Sequence, residues 1–160
     1  MRLLKSIKYF FSDFINERRK HTLKICTLDN TWHDKDEVLL HAVFQILVNF
    51  IEKERVEIVD WEDDAKHAHA WHEMQDLYKW WKEVRPARVD PILELSDDKV
   101  PPLRFERIDE NYHRLIMPID DEWPEWRDAY NKSVELGFDW AEEDQRNLHR
   151  LVEIRGFLWV

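Results

Sequence analysis

The sequence predicts an all-α fold, a four- to five-helix bundle, from three observations. Apolar residues recur at spacings of three and four over several stretches, residues typical of helix caps stand at the starts of those stretches, and only two glycines occur in 160 residues. One domain spanning residues 1–160 is expected, because a chain of this length can bury a sizeable core. The lone cysteine, Cys26, excludes an intrachain disulfide.

Residues 2–19 predict a basic amphipathic helix, with residues such as Leu4, Phe11 and Ile15 on one apolar stripe. Seven basic and two acidic residues give residues 1–25 a net charge of +5. Since the whole chain carries −10, the remaining 135 residues, the acidic body, carry −15. This helix could dock on the acidic body itself, on an acidic partner, or on an anionic membrane surface.

The second and third helices are predicted at about 35–55 and 65–84. Thr31 or Asp34 fits the cap of the second helix, which is apolar on all sides except for one narrow polar line. Five of the six prolines lie between residues 86 and 118, which predicts a long irregular connection with a short strand at 114–117. Two final helices are expected, one ending at Gly137 and one running from Asp139 to about Arg155.

Several classes of function are disfavoured by composition. Two glycines are too few for the phosphate-binding loops of nucleotide enzymes, and no cofactor is predicted. The acidic body repels phosphate backbones, so nucleic-acid binding is not expected unless the basic arm alone provides it. The longest apolar run, residues 38–51, is interrupted and too short to cross a membrane, and no transmembrane segment is expected.

The polar line of the second helix is the first candidate site. Glu37, His41 and Gln45 recur every four residues and could form a ligand-binding strip, with His41 as general base and with Arg85 and Arg155 as partners for an anionic ligand. The alternative is a narrow solvent-facing stripe or a buried polar network whose hydrogen bonds are satisfied within the protein.

A second candidate is a metal site on the third helix. His69, His72, Glu73 and Asp76 lie at i, i+3, i+4 and i+7, within one arc of the helix, and offer two nitrogen and two oxygen ligands. The alternative is that these four polar residues are simply the solvated face of an amphipathic helix, since the apolar stripe points elsewhere.

Two further sets of residues indicate contacts. Asp144 falls on the apolar arc of the last helix, which predicts an ion pair with Arg85 or Arg88. Nine tryptophans occur, and most are expected in the core. Those beside acidic residues indicate a partner-binding surface, because exposed tryptophan is typical of protein interfaces; this surface comprises Asp121, Glu122, Trp123 and Trp126.

Three stretches resemble segments of small uncharacterised proteins encoded by tailed bacteriophages. They are LLHAVFQILVNFIEKE (39–54), DLYKWWKEVRPARVDP (76–91) and LHRLVEIRGFLWV (148–160), and the paired tryptophans followed by Arg-Pro-x-Arg are the most distinctive part. The resemblance covers about a third of the chain and implies a phage gene expressed in the cytoplasm of an infected bacterium. It implies no activity and no catalytic residues.

The sequence therefore predicts a non-enzymatic phage accessory protein that acts by binding a protein of the host, such as a defence or replication factor, or a neighbour in the virion. Cytoplasm of the infected host or virion is the expected location. The alternative is a helical-bundle enzyme or a binder of a small ligand or metal, using the polar line or the histidine cluster. A third hypothesis is peripheral membrane contact through residues 2–19.

Overall fold

Three α-helices and one β-hairpin dominate the part of the computed structural model that describes residues 23–54, 56–118 and 122–158. The helices are α1 (Lys35–Lys53), α2 (Ala65–Lys79) and α3 (Pro124–Ile154), and the strands are β1 (Arg104–Arg107) and β2 (His113–Ile116). The predicted helix at residues 2–19 lies outside the described residues. None of the described helices is long and apolar enough to cross a membrane.

The prediction of a four- to five-helix bundle is wrong for the described chain. The two helices expected at its end are one continuous helix, α3, of 31 residues. Gly137 does not end it, because a glycine terminates a helix by adopting positive φ and neither glycine in the chain does so. A glycine in a helix interior costs about 1 kcal/mol relative to alanine, which the flanking turns of so long a helix can offset.

The prediction of a long irregular connection over 86–118 is also wrong. Short 3₁₀ helices occupy Arg85–Ala87, Pro91–Glu94 and Asp97–Lys99, and the hairpin follows them. The Asp90 side chain caps the second of these by accepting a hydrogen bond from Ile92 N at 2.9 Å. The prolines therefore begin or punctuate short ordered turns, since proline fits the first turn of a helix and cannot continue a long one.

The described residues fall into two compact units. The first contains the described residues up to Tyr78 and those from Arg150 onward, and the second is Lys79–His149. The largest fully buried side chains all belong to the first unit and come from α1, α2 and the last turns of α3; they are Phe44, Leu47, Phe50, Met74, Leu77 and Leu151. The apolar character of α1 is thus explained by its central place in this core.

Aromatic rings complete the core of the first unit. Trp61 stacks on Trp71 with ring centroids 4.9 Å apart, and its indole N–H donates to Val56 O at 2.9 Å. At the start of α2, the Asp64 carboxylate accepts hydrogen bonds from Lys66 N and His67 N at 2.7 and 2.9 Å. Acidic caps of this kind stabilise the positive end of a helix, so the sequence places the start of α2 correctly.

The second unit opens with a π-helical turn, Trp80–Val84, that continues α2. Both of its tryptophans are buried, in contrast to the hairpin, whose eight strand residues are all exposed. Antiparallel pairing sets Phe105 opposite Leu115 and Arg107 opposite His113. The hairpin thus extends from the second unit without burying either of its strands.

Candidate functional site

The polar line of α1 is buried at its centre and is used to hold the segment that precedes the helix. His41 and Gln45 are 6% and 4% exposed. His41 Nδ1 lies 2.7 Å from the Thr27 hydroxyl, and Gln45 Oε1 accepts from Cys26 N at 2.9 Å. Gln45 also donates to Asn49 Oδ1 at 3.1 Å. These bonds satisfy buried polar groups, as in the polar-network interpretation of the line.

The outer end of the same line is exposed. Glu37 lies 3.2 Å from His33 Nδ1, and the other ring nitrogen of His33 lies 2.9 Å from Asp29. The carboxylates of Asp29 and Glu37 raise the pKa of His33 above its usual value because they stabilise the protonated ring, and Asp29 has the larger effect. A hydrogen bond from the Thr31 hydroxyl is the main reason why the pKa of Asp29 falls to about 2. This group of four residues therefore braces the approach to α1.

The two arginines predicted to serve a ligand on that line have other partners. Arg155 is exposed, lies in the first unit, and donates to the backbone oxygen of Val152 at 2.7 Å. Arg85 lies in the second unit and pairs with Asp144. Both arginines thus contact other groups, and the small-ligand hypothesis stays a prediction.

The structure does not gather the four residues of the predicted metal set on α2 into one group of ligands. Among the described residues, no group of three or more histidine, cysteine or carboxylate side chains is placed to share an ion. His69 and His72 are exposed, whereas Glu73 accepts from Arg150 Nε at 2.8 Å, and Asp76 lies 4.0 Å from the same guanidinium. The hydrogen bond from Arg150 is the main reason why the pKa of Glu73 is lowered. Arg150 thus contacts both of the carboxylates that were predicted as metal ligands.

The predicted ion pair of Asp144 is confirmed, and both candidate arginines take part. Arg85 Nη2 lies 3.1 Å from one carboxylate oxygen of Asp144, and Arg88 Nη2 lies 2.8 Å from the other. Arg88 also contacts Glu143 at 2.6 Å, and Glu143 accepts from the Trp80 indole N–H at 3.0 Å. In these contacts two guanidinium groups are balanced by two carboxylates.

Tryptophan rings enclose these arginines. The guanidinium carbon of Arg85 lies 4.9 Å from the Trp81 ring centroid, and that of Arg88 lies 5.6 and 5.7 Å from Trp80 and Trp140. Cation–π contacts of this type contribute about 0.5–2 kcal/mol each when partly desolvated. The distinctive paired tryptophans and Arg-Pro-x-Arg of the sequence therefore form a packing cluster within the second unit.

Exposed apolar side chains are concentrated in and next to the hairpin. Eight of the nineteen exposed large apolar side chains of the described residues lie within residues 100–117. Phe105 is 59% exposed and Leu115, directly opposite it, is 46% exposed. A side-chain turn closes the hairpin, because Asp109 Oδ1 accepts from Asn111 N and Tyr112 N.

The predicted tryptophan surface adjoins the hairpin at one end. Trp123 and Glu122 line a pocket of about 80 Å³ together with Arg104 and Ile116, the pair at the open end of the two strands. Trp123 is half-buried rather than fully exposed. Asp121, which belongs to the predicted surface, lies outside the described residues.

Trp126 is also half-buried and contacts its own helix. Its ring stacks on Tyr130 at 5.2 Å, and the Arg127 guanidinium lies 5.9 Å from the ring centroid. The more exposed part of this region is therefore the hairpin, which sequence reasoning did not select. Its signal was present in the turn residues Asp109 to Asn111 between apolar positions, a pattern typical of a hairpin.

No protein-family model, no curated protein and no solved structure matches the chain.

Proposed function

We propose that this chain is a phage-encoded accessory protein that acts by binding another protein, either a host factor or a neighbour in the virion. The binding surface is the β1–β2 hairpin together with Trp123. The observation that carries the proposal is the hairpin itself, in which both strands are exposed and Phe105 and Leu115 face each other outside the core.

Physical reasoning favours a protein partner for such a surface. A two-stranded hairpin is only marginally stable by itself in water, and it becomes more stable when another surface covers it. A contiguous exposed apolar patch on a soluble chain is typical of an interface. Aromatic residues and arginine are the residues that contribute most to binding at interfaces, and this surface offers Phe105, Tyr112 and Trp123 beside Arg104 and Arg107.

The test is affinity purification of the tagged chain from infected bacteria, with mass spectrometry of the proteins that co-elute. The wild type is compared with Phe105→Ser/Leu115→Ser, which removes the central apolar pair of the hairpin. Phe138→Ser is the matched control, because Phe138 is 71% exposed but lies on α3. We expect a stoichiometric partner that the control retains and the hairpin variant loses. A partner retained by both variants would place the binding surface elsewhere, and a lone protein would contradict the proposal.

A further inference from the structure

The outer edge of β2 presents unpaired backbone groups. Ile108 N donates to Tyr112 O at 3.0 Å, which fixes the hydrogen-bonded positions of the ladder. Bonded and non-bonded pairs alternate along an antiparallel ladder, so His113 and Leu115 are non-bonded positions whose N–H and C=O groups point away from β1. Within the described ranges, no backbone group pairs with them, because the sheet there has two strands.

The side chains along this edge divide into a basic half and an apolar half. His113 and Arg114 form the first half of β2, and Leu115 and Ile116 form the second. All four are exposed and none is acidic. Neither His113 nor Arg114 forms an ion pair with a carboxylate in the part of the chain that the structure describes. Glu106 lies directly opposite Arg114 in the ladder, on the side of β2 away from this edge, and the two side chains form no ion pair within the described residues.

We propose that the edge of β2 binds an extended segment of another protein in which two apolar residues adjoin two acidic residues, added to the hairpin as a third strand. The inference rests on the proposed function and names the chemistry of the partner. Backbone pairing at His113 and Leu115 supplies up to four hydrogen bonds, one for each outward donor and acceptor. The carboxylates lie beside His113 and Arg114, and the apolar residues lie beside Leu115 and Ile116.

Two other occupants fit this edge less well. A nucleic acid has no peptide N–H and C=O groups to extend the ladder, and the net charge of −10 on the chain repels its many phosphates more strongly than two carboxylates. A second copy pairing β2 with β2 in antiparallel register would set His113 and Arg114 against Ile116 and Leu115. Arg114 would then gain no carboxylate from the second copy, so charge complementarity favours an acidic segment.

The test uses three blocked hexapeptides that differ only in their four central residues, Val-Val-Glu-Glu, Val-Val-Lys-Lys and Ser-Ser-Glu-Glu. Each is titrated into the ¹⁵N-labelled full chain to about 1 mM, a concentration that detects weak strand addition. We expect the Val-Val-Glu-Glu peptide to bind at least about tenfold more tightly than the other two, because only it satisfies both halves of the edge. The amide signals of His113 and Leu115 should shift most.

Two matched proline variants separate the edges of the hairpin. His113→Pro removes an outward N–H from the edge of β2, and Arg107→Pro removes the equivalent outward N–H from β1, since the two residues are directly opposed. We expect His113→Pro to weaken binding of the Val-Val-Glu-Glu peptide at least about tenfold and Arg107→Pro less than about threefold. Arg114→Glu provides a test without proline, because it should make the Val-Val-Lys-Lys peptide bind more tightly than the Val-Val-Glu-Glu peptide.

Several outcomes would overturn the inference. In the titrations, these are equal binding of the glutamate and lysine peptides, no binding of any peptide, and amide shifts that are largest outside β2. In the variants, it is an equal loss of peptide affinity in His113→Pro and Arg107→Pro. A dimer whose amide signals change at β2 would also overturn it, as would displacement of the peptide by single-stranded RNA at a concentration lower than that of the peptide. The peptide result is independent of affinity capture. Peptide binding without a captured protein would retain the inference and refute the proposed function, and a captured partner that ignores β2 would do the reverse.

Discussion

Replacing Asp144 by alanine should destabilise the second unit by about 3 kcal/mol. Asp144 is 17% exposed and lies 3.1 Å from Arg85 and 2.8 Å from Arg88, which are 24% and 14% exposed. A charged hydrogen-bonding group left without its partner costs about 1.5–3 kcal/mol. The substitution removes this partner from two arginines. Because Arg88 keeps its contact to Glu143 and water can reach Arg85 in part, the total loss of stability is about 3 kcal/mol rather than twice the larger cost.

The assay is urea unfolding followed by tryptophan fluorescence and far-ultraviolet circular dichroism. With a slope of about 2 kcal/mol per molar urea, the loss corresponds to a fall in the midpoint of about 1.5 M. Glu142→Ala is the control, because its exposed pair with Arg146 on the same helix contributes less than about 0.5 kcal/mol. Replacing Arg85 by methionine and Asp144 by leucine together should recover much of the stability. Equal midpoints for Asp144→Ala and Glu142→Ala would refute the reasoning.

Three other predictions concern the first unit. Leu47→Ala should lower the free energy of unfolding by about 3 kcal/mol and Ile46→Ala by less than about 1 kcal/mol, because Leu47 is fully buried and its neighbour Ile46 is 46% exposed. Urea midpoints measure both changes. Similar losses of stability in the two variants would contradict the assigned core. The pKa of Glu73 is lowered from 4.5 by Arg150, so its stabilising contribution is complete above about pH 4.5 and is lost as the pH falls through the lowered value. The urea midpoint should therefore fall less on acidification in Glu73→Gln than in the wild type. Identical pH profiles of the two proteins would disprove the linkage. The pKa of His33 is raised above 6.5 by its carboxylate neighbours, Asp29 and Glu37, so its contribution to stability is complete below pH 6.5 and is lost as the pH rises through the raised value. A His33 pKa at or below 6.5, measured by NMR titration, would exclude these contacts before α1.

Features governed by local pattern could be predicted from the sequence. The start of α1 follows from apolar periodicity, and the start of α2 follows from the acidic cap at Asp64. The pairing of Asp144 with Arg85 and Arg88 followed from one physical rule, that a charge on an apolar face requires a partner. A short strand near residues 114–117 was also predicted, and β2 at His113–Ile116 confirms it with a shift of one residue.

Features that depend on distant residues could not be predicted. A polar line on α1 looks the same in sequence whether water or another segment covers it, and only the contacts of His41 with Thr27 and of Gln45 with Cys26 distinguish the two cases. Residues 23–28 contain no strand; Cys26 N and the Thr27 hydroxyl bond to side chains of α1 instead. Strand β1 carries one apolar residue, Phe105, and its pattern is too weak to identify without its partner.

The position of Leu151 and Ile154 in the first core has a consequence for the order of events during synthesis. These two residues belong to the core of a unit whose other buried apolar side chains all precede residue 79. The ribosome must therefore make the whole second unit before the first can close, although domains usually fold in the order in which they emerge. Until then the core that α1 and α2 contribute lacks the apolar side chains of Leu151 and Ile154. Slow translation of residues 79–149 would lengthen that exposure, whereas a stop codon at 150 would make it permanent.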